Sequence, residues 1–142
     1  MAEKILLVDD EEEFLTVMAE RMSARGMEVT TADSALEALK RVETETFDAI
    51  ILDLQMPAID GLETLKAIKR KRPELQVILL TGHATVEKGI AAMKLGAMDF
   101  VEKPADLAEL TAKIKNAQAR RLVIAEQQIE EKLKKIMNTR GW

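Results

Sequence analysis

The sequence predicts an α/β fold: a doubly wound, five-stranded parallel sheet in the order 2-1-3-4-5 with an extended C-terminal helix. Three observations predict it. Short apolar runs alternate with stretches of helical spacing along most of the chain, the pattern of successive βα units. The run Ala49–Leu52 shows no polar alternation, the mark of a strand buried on both faces. The chain has 142 residues, enough for one domain around a single core. Crossovers between parallel strands are right-handed in nearly all cases, which leaves few topologies, and five strands fit the order given.

Ile5–Val8 forms the first strand and ends at Asp9-Asp10. Glu11–Arg25 is helical through Phe14, Leu15, Met18 and Met22; its acidic start suits the helix dipole and Gly26 stops it. Glu28–Thr31 is a short second strand. Ser34 and Glu37 make a capping-box pattern that opens a helix through Leu36, Leu39 and Val42. The third strand ends at Asp53, and Met56-Pro57 with Asp60-Gly61 turns the chain at once. Gly61–Arg72 is the third helix, with Leu62, Leu65 and Ile68 inward and Pro73 closing it. Gln76–Leu80 is the fourth strand, ending at Thr81-Gly82. A helix over about 85–95 stops at Gly96, and Met98–Val101 is the last strand, ending at Glu102-Lys103-Pro104. Helical spacing then runs from Asp106 to about Met137, ~48 Å of helix at 1.5 Å per residue.

Composition excludes several classes. With no cysteine there is no disulfide framework, thiolate nucleophile or thiolate metal site. A net charge of −4 without a basic block argues against phosphate neutralisation on nucleic acid. No apolar run approaches the ~20 residues of a membrane span, and the start Met1-Ala2-Glu3-Lys4 lacks signal-peptide character, so a cytoplasmic location is expected. The eight methionines are expected as core filler.

Strand ends carry the chemistry. In a parallel sheet they lie along one edge, so Asp9, Asp10, Asp53, Thr81 and Lys103 should converge there. Each alone has an ordinary explanation: a cap, a turn former, a solvated ammonium. Together, three carboxylates repel one another, and a hard divalent cation, Mg²⁺ with few carboxylates and several waters, resolves the repulsion most cheaply. A cation, an ammonium and a hydroxyl around one aspartate is the environment phosphoryl transfer requires, with Asp53 as nucleophile forming an acyl phosphate.

These residues resemble the receiver domain of two-component response regulators, and among them the receivers of transcription activators. The motifs are Val8-Asp9-Asp10, Leu52-Asp53-Leu54-Gln55-Met56-Pro57 with Asp60-Gly61, Thr81-Gly82, and Gly96 through Pro104, spread in order over about residues 3–120. The resemblance implies a flavodoxin-like sheet and a phosphoryl group taken by Asp53 from a histidine kinase or phosphotransfer protein. It implies Mg²⁺ held by Asp9, Asp10, Asp53 and the Gln55 backbone carbonyl, with Thr81 and Lys103 gripping the phosphoryl oxygens. It also implies a cis peptide at Lys103-Pro104, and a switch in which Phe100 moves inward as Thr81 turns to the phosphate, changing partner binding or dimerisation. Many members carry Tyr at that position; Phe100 keeps the packing and lacks the hydroxyl. His83 and Gln55 are expected at most to tune access to the acyl phosphate. Gly89, in mid-helix at a cost of about 1 kcal/mol relative to Ala, marks the fourth helix as a weak part of the output face.

The expected division is a receiver over 1–120 and a helical extension over 121–142. The extension carries Leu122, Ala125, Ile129, Leu133 and Ile136, with Glu130–Lys134 and Glu131–Lys135 as favourable pairs, and its spacing slips near Arg121. Three readings stay open: a dimerisation helix, a helix folded back on the domain, and a linker stub; no DNA-binding motif follows. Two enzyme or ligand readings compete with the switch. Haloacid-dehalogenase-like phosphatases need a second acid where Gln55 stands. A flavin or nucleotide binder needs a phosphate loop where Asp9-Asp10-Glu11-Glu12-Glu13 repels phosphate.

Overall fold

The computed structural model describes residues 2–54, 61–82 and 86–139. Five strands and five helices alternate: β1 (Lys4–Val8), α1 (Glu12–Ala24), β2 (Glu28–Ala32), α2 (Ala35–Thr44), β3 (Ala49–Asp53), α3 (Gly61–Lys71), β4 (Val77–Thr81), α4 (Val86–Lys94), β5 (Asp99–Glu102) and α5 (Leu107–Thr139). All pairings are parallel and the strand order is β2-β1-β3-β4-β5, as the sequence predicts. The fourth and fifth strands each lie one residue later than expected, so Thr81 and Glu102 are their last residues.

Successive strand residues point to opposite faces, and this splits the core in two. Leu6, Val8, Ile50, Leu52, Val77 and Leu79 pack with Ala38 and Val42 of α2, Leu65 and Ile68 of α3 and Ala92 of α4. Ile5, Leu7, Ala49, Ile51, Ile78 and Leu80 pack with Leu15, Met18 and Met22 of α1 and Leu110, Ile114 and Ala117 of α5. The central strands β3 and β4 are buried at every residue, which explains their unbroken apolar runs. Of the methionines, Met18, Met22 and Met27 are core as expected, but Met93 and Met137 are on the surface.

Local signals act where they were read. The Ser34 hydroxyl accepts from the Glu37 N–H at 3.2 Å and caps α2. Gly26 and Gly96 end α1 and α4 at φ of 88° and 102°, the left-handed conformation that glycine adopts without strain. Gly61 has a different duty: a Cβ there would stand 3.0 Å from the Leu54 Cα, so its lack of a side chain lets the start of α3 close onto the residue after Asp53. The turn residues Met56, Pro57 and Asp60 lie outside the described residues.

The last helix is one unbroken element of 33 residues, with no interruption at residues 120–121. Its slip in apolar spacing has a cause. Arg121 occupies a domain-facing position because its guanidinium holds buried Asp48, with Nε at 2.9 Å and a terminal nitrogen at 2.8 Å from Oδ1. Asp48 Oδ2 accepts from the Lys4 N–H at 2.9 Å and from Gln118 Nε2 at 3.3 Å. The projecting half does not fold back: Leu122, Ile129, Leu133 and Ile136 are all exposed. Among the described residues, no helix is long and apolar enough to cross a membrane.

Candidate functional site

Register brings the strand ends level. Val8 pairs with Leu52, Asp53 with Leu80, and Thr81 with Glu102, so the residues at or just past each end share the carboxyl edge. Asp9 and Asp53 are buried and Asp10 is exposed; one carboxylate oxygen from each lies within 4.8 Å of the others. Asp9 is oriented by the Glu11 N–H, 3.0 Å from its Oδ1. Lys103 Nζ reaches Asp9 Oδ2 at 2.9 Å and Asp53 Oδ2 at 3.5 Å. Lys103 is itself aimed by its backbone N–H, which donates to the Thr81 carbonyl at 2.7 Å, and its peptide bond to Pro104 is cis.

Burial disfavours the Lys103 ammonium, but the hydrogen bond to Asp9 and the charges of Asp53, Asp9 and Glu11 outweigh it, so its pKa rises above the ordinary value. The Phe14 ring also lies beneath it, 4.6 Å from Nζ to the centroid. Sequence reasoning placed Phe14 only in the apolar stripe of α1. Its position in the first turn after the acidic loop was the available signal, since that turn must face the carboxyl edge.

Thr81 is buried, and its Oγ1 is the one buried side-chain polar atom among the described residues that lacks a hydrogen-bond partner. Such atoms are uncommon in folded proteins and each needs an explanation. Phe100, the second residue of the neighbouring edge strand β5, is 41% exposed. Lys113, which sequence reasoning did not single out, holds that region. Its ammonium donates to the Phe100 carbonyl at 2.9 Å, pairs with Asp99 at 3.1 Å and Glu109 at 3.3 Å, and lies 5.9 Å from the Phe100 ring centroid. Ile90, Met93 and Leu95 of the neighbouring α4 segment are exposed as well. Gln55 and His83 lie outside the described residues.

The structure thus brings together Asp9, Asp10, Asp53 and Lys103, and puts Thr81 one residue beyond the partner of Asp53 in register. All donors in the acidic cluster are carboxylate oxygens, and a group of three close oxygens with one exposed member suits a small hard cation that keeps part of its water.

Comparison with known proteins identifies the family and matches the fold. The family described as "Response regulator receiver domain" matches residues 5–115. The chain is 36% identical over 115 residues to the transcriptional regulatory protein ZraR of Escherichia coli strain K12, a match covering 81% of this chain and 26% of that protein. A receiver domain from Clostridium thermocellum superposes with a TM-score of 0.81 at 36% identity, over 87% of this chain and 99% of that one. NtrX from Brucella abortus superposes with a TM-score of 0.81 at 33% identity, over 90% of this chain and 30% of that one. The chain therefore spans about a quarter of the length of ZraR, and about a third of the NtrX chain.

Proposed function

Because this chain belongs to the response regulator receiver domain family, we propose that it is a phosphorylation-operated switch with Asp53 as the phosphoacceptor. The donor is the phosphohistidine of a histidine kinase or of a phosphotransfer protein. A carboxylate oxygen of Asp53 attacks phosphorus, the P–N bond breaks, and the histidine nitrogen leaves with the bonding pair. Asp9, Asp10 and Asp53, with the carbonyl of Gln55, which lies outside the described residues, would hold Mg²⁺. When bound, that ion supplies positive charge to the transferring oxygens. Lys103, already within reach of Asp53, adds a second positive charge.

The observation that carries this reading is the unpartnered Thr81 hydroxyl beside an acidic cluster that shares one lysine. A phosphoryl oxygen on Asp53 gives that hydroxyl the acceptor it lacks. In the same reading Phe100 then leaves its exposed position for the space Thr81 vacates, and the surface formed by Phe100, Ile90 and Met93 changes what it binds.

The test is intact-mass spectrometry after incubation with a small phosphodonor such as acetyl phosphate. One phosphoryl group should be added in the presence of Mg²⁺, none with a chelator, and none in Asp53→Asn. Incorporation that persists in Asp53→Asn, or that needs no divalent cation, would overturn the assignment.

A further inference from the structure

The segment that delivers Asp9 to the site delivers a second group with it. Asp9 Oδ1 accepts from the Glu11 N–H at 3.0 Å, and the Leu15 N–H donates to the Glu11 carbonyl at 3.0 Å. A turn and the first helical bond of α1 therefore hold everything from Asp9 to Leu15 as one piece. The residues this helix buries are Leu15, Met18 and Met22. Phe14 stands beside them, only partly buried, on the margin of the same core as Ala105 and Leu107 at the entry to α5. Its ring centroid lies 4.6 Å from Lys103 Nζ, well inside the ~6 Å over which an ammonium is attracted to an aromatic face. Any apolar side chain would fill that margin. Only an aromatic one attracts the ammonium.

We propose that Phe14 is a positioning residue for phosphoryl transfer: its ring keeps the Lys103 ammonium at the carboxyl edge while that ammonium moves from the carboxylates to the phosphoryl oxygens. This role rests on Asp53 being the phosphoacceptor. Without the ring, the two carboxylates hold the ammonium, Asp9 at 2.9 Å and Asp53 at 3.5 Å, the second at the limit of a hydrogen bond. The firmer partner is thus Asp9, which is not the residue to be phosphorylated. Both acids also belong to the cluster that suits a hard divalent cation, so the carboxylates Lys103 now pairs with are those such an ion would draw on.

A lysine side chain is a long flexible stem with a strongly hydrated head, and this one is 21% exposed. Once its carboxylate partners are engaged elsewhere, water competes for it. The ring face is a partner of another kind. It carries no formal charge, takes no proton and does not join the oxygen ligands of a hard cation. Its attraction is spread over a face, not aimed along a lone pair, so the ammonium turns toward a new acceptor without losing it. The contact persists while the ion pairs change, and the charge is in place when the phosphoryl oxygens arrive.

Fluorination separates attraction from packing, because fluorine withdraws charge from the ring face and leaves the shape of the ring nearly unchanged. Full chains with monofluoro- or trifluorophenylalanine in place of Phe14, and Phe14→Leu, are compared with wild type by the rate at which intact mass gains a phosphoryl group from acetyl phosphate with Mg²⁺. The rate should fall as fluorines are added, by about fivefold for the trifluoro ring and for Phe14→Leu, while the urea midpoints of the fluorinated chains stay at the wild-type value. In the protein without Mg²⁺, the Lys103 ε-methylene protons should show an upfield ring-current shift that Phe14→Leu removes. Rates that stay level or rise with fluorination would make Phe14 a filler of the core margin and overturn the role, as would Lys103 protons with no ring-current shift. A wild-type chain that shows the shift but takes no phosphoryl group would overturn the phosphoacceptor reading and the role with it.

Discussion

Strand β3 is bracketed by two buried aspartates with opposite fates. Asp48, just before its first residue, receives the Lys4 N–H, the Gln118 amide and two nitrogens of Arg121. Asp53, at its last residue, sits with Asp9 and Asp10 in a cluster that shares one ammonium, beside a threonine hydroxyl with no partner. The amino edge is electrostatically closed: its carboxylate has a matching cation and its lone pairs are used. At the carboxyl edge three carboxylates gather about one ammonium, and the Thr81 hydroxyl has no hydrogen-bond partner. A buried charge that is fully paired holds structure together, whereas a buried hydroxyl without a partner calls for another explanation.

Removing each aspartate breaks the comparison at its strongest point. Asp48→Ala strands Arg121 and Gln118 and should cost about 3 kcal/mol in urea unfolding, with phosphoryl incorporation into Asp53 retained. Asp53→Asn should abolish incorporation yet leave stability unchanged or raise it by about 1 kcal/mol, because one of three like charges is gone. Equal destabilisation by the two substitutions would erase the distinction between the edges.

Two glycines sharpen it further. Gly61→Ala drives a methyl into the Leu54 backbone behind the carboxyl edge and should cost about 2 kcal/mol by thermal or chemical denaturation. Gly89→Ala meets open space in mid-α4 and should instead add about 1 kcal/mol, while blunting the response to phosphorylation. Unchanged hydrogen-exchange protection in α4 would count against its weakness being functional.

The smallest effect is one of pH. Burial opposes ionisation of Glu74, but the Arg72 hydrogen bond at 2.6 Å, the Glu74 backbone and the charges of Arg72 and Arg121 together hold its pKa below the ordinary 4.5. A pKa depressed by folding means that the contribution is fully present above the carboxylate's ordinary range and is lost as pH falls through and below 4.5. Wild type should therefore lose up to about 1 kcal/mol more than Glu74→Gln on acidification across that range, as read by urea midpoints.

Much of the carboxyl edge was legible in the sequence because it is built from local rules. Each strand is a short apolar run, each run ends where a polar residue and a turn former meet, and parallel pairing alone brings those ends together. Those rules place Asp9, Asp10, Asp53 and Lys103 in one cluster. It did not find the Asp48–Arg121 clamp, whose partners are 73 residues apart. Periodicity registered Arg121 only as an irregularity, since a charged residue on a buried face is intelligible only once its partner is known. Phe14 beneath Lys103 and Lys113 over Phe100 were missed for the same reason.

The amino-acid sequence by itself determined the order of elements, the sheet and the edge on which the acids gather, because apolar period and turn chemistry act over a few residues. Tertiary structure alone decided that Arg121 and Gln118 clamp Asp48, and which flank of α5 faces solvent. Those outcomes depend on where a helix lands against a sheet, and packing sets that from the whole core at once.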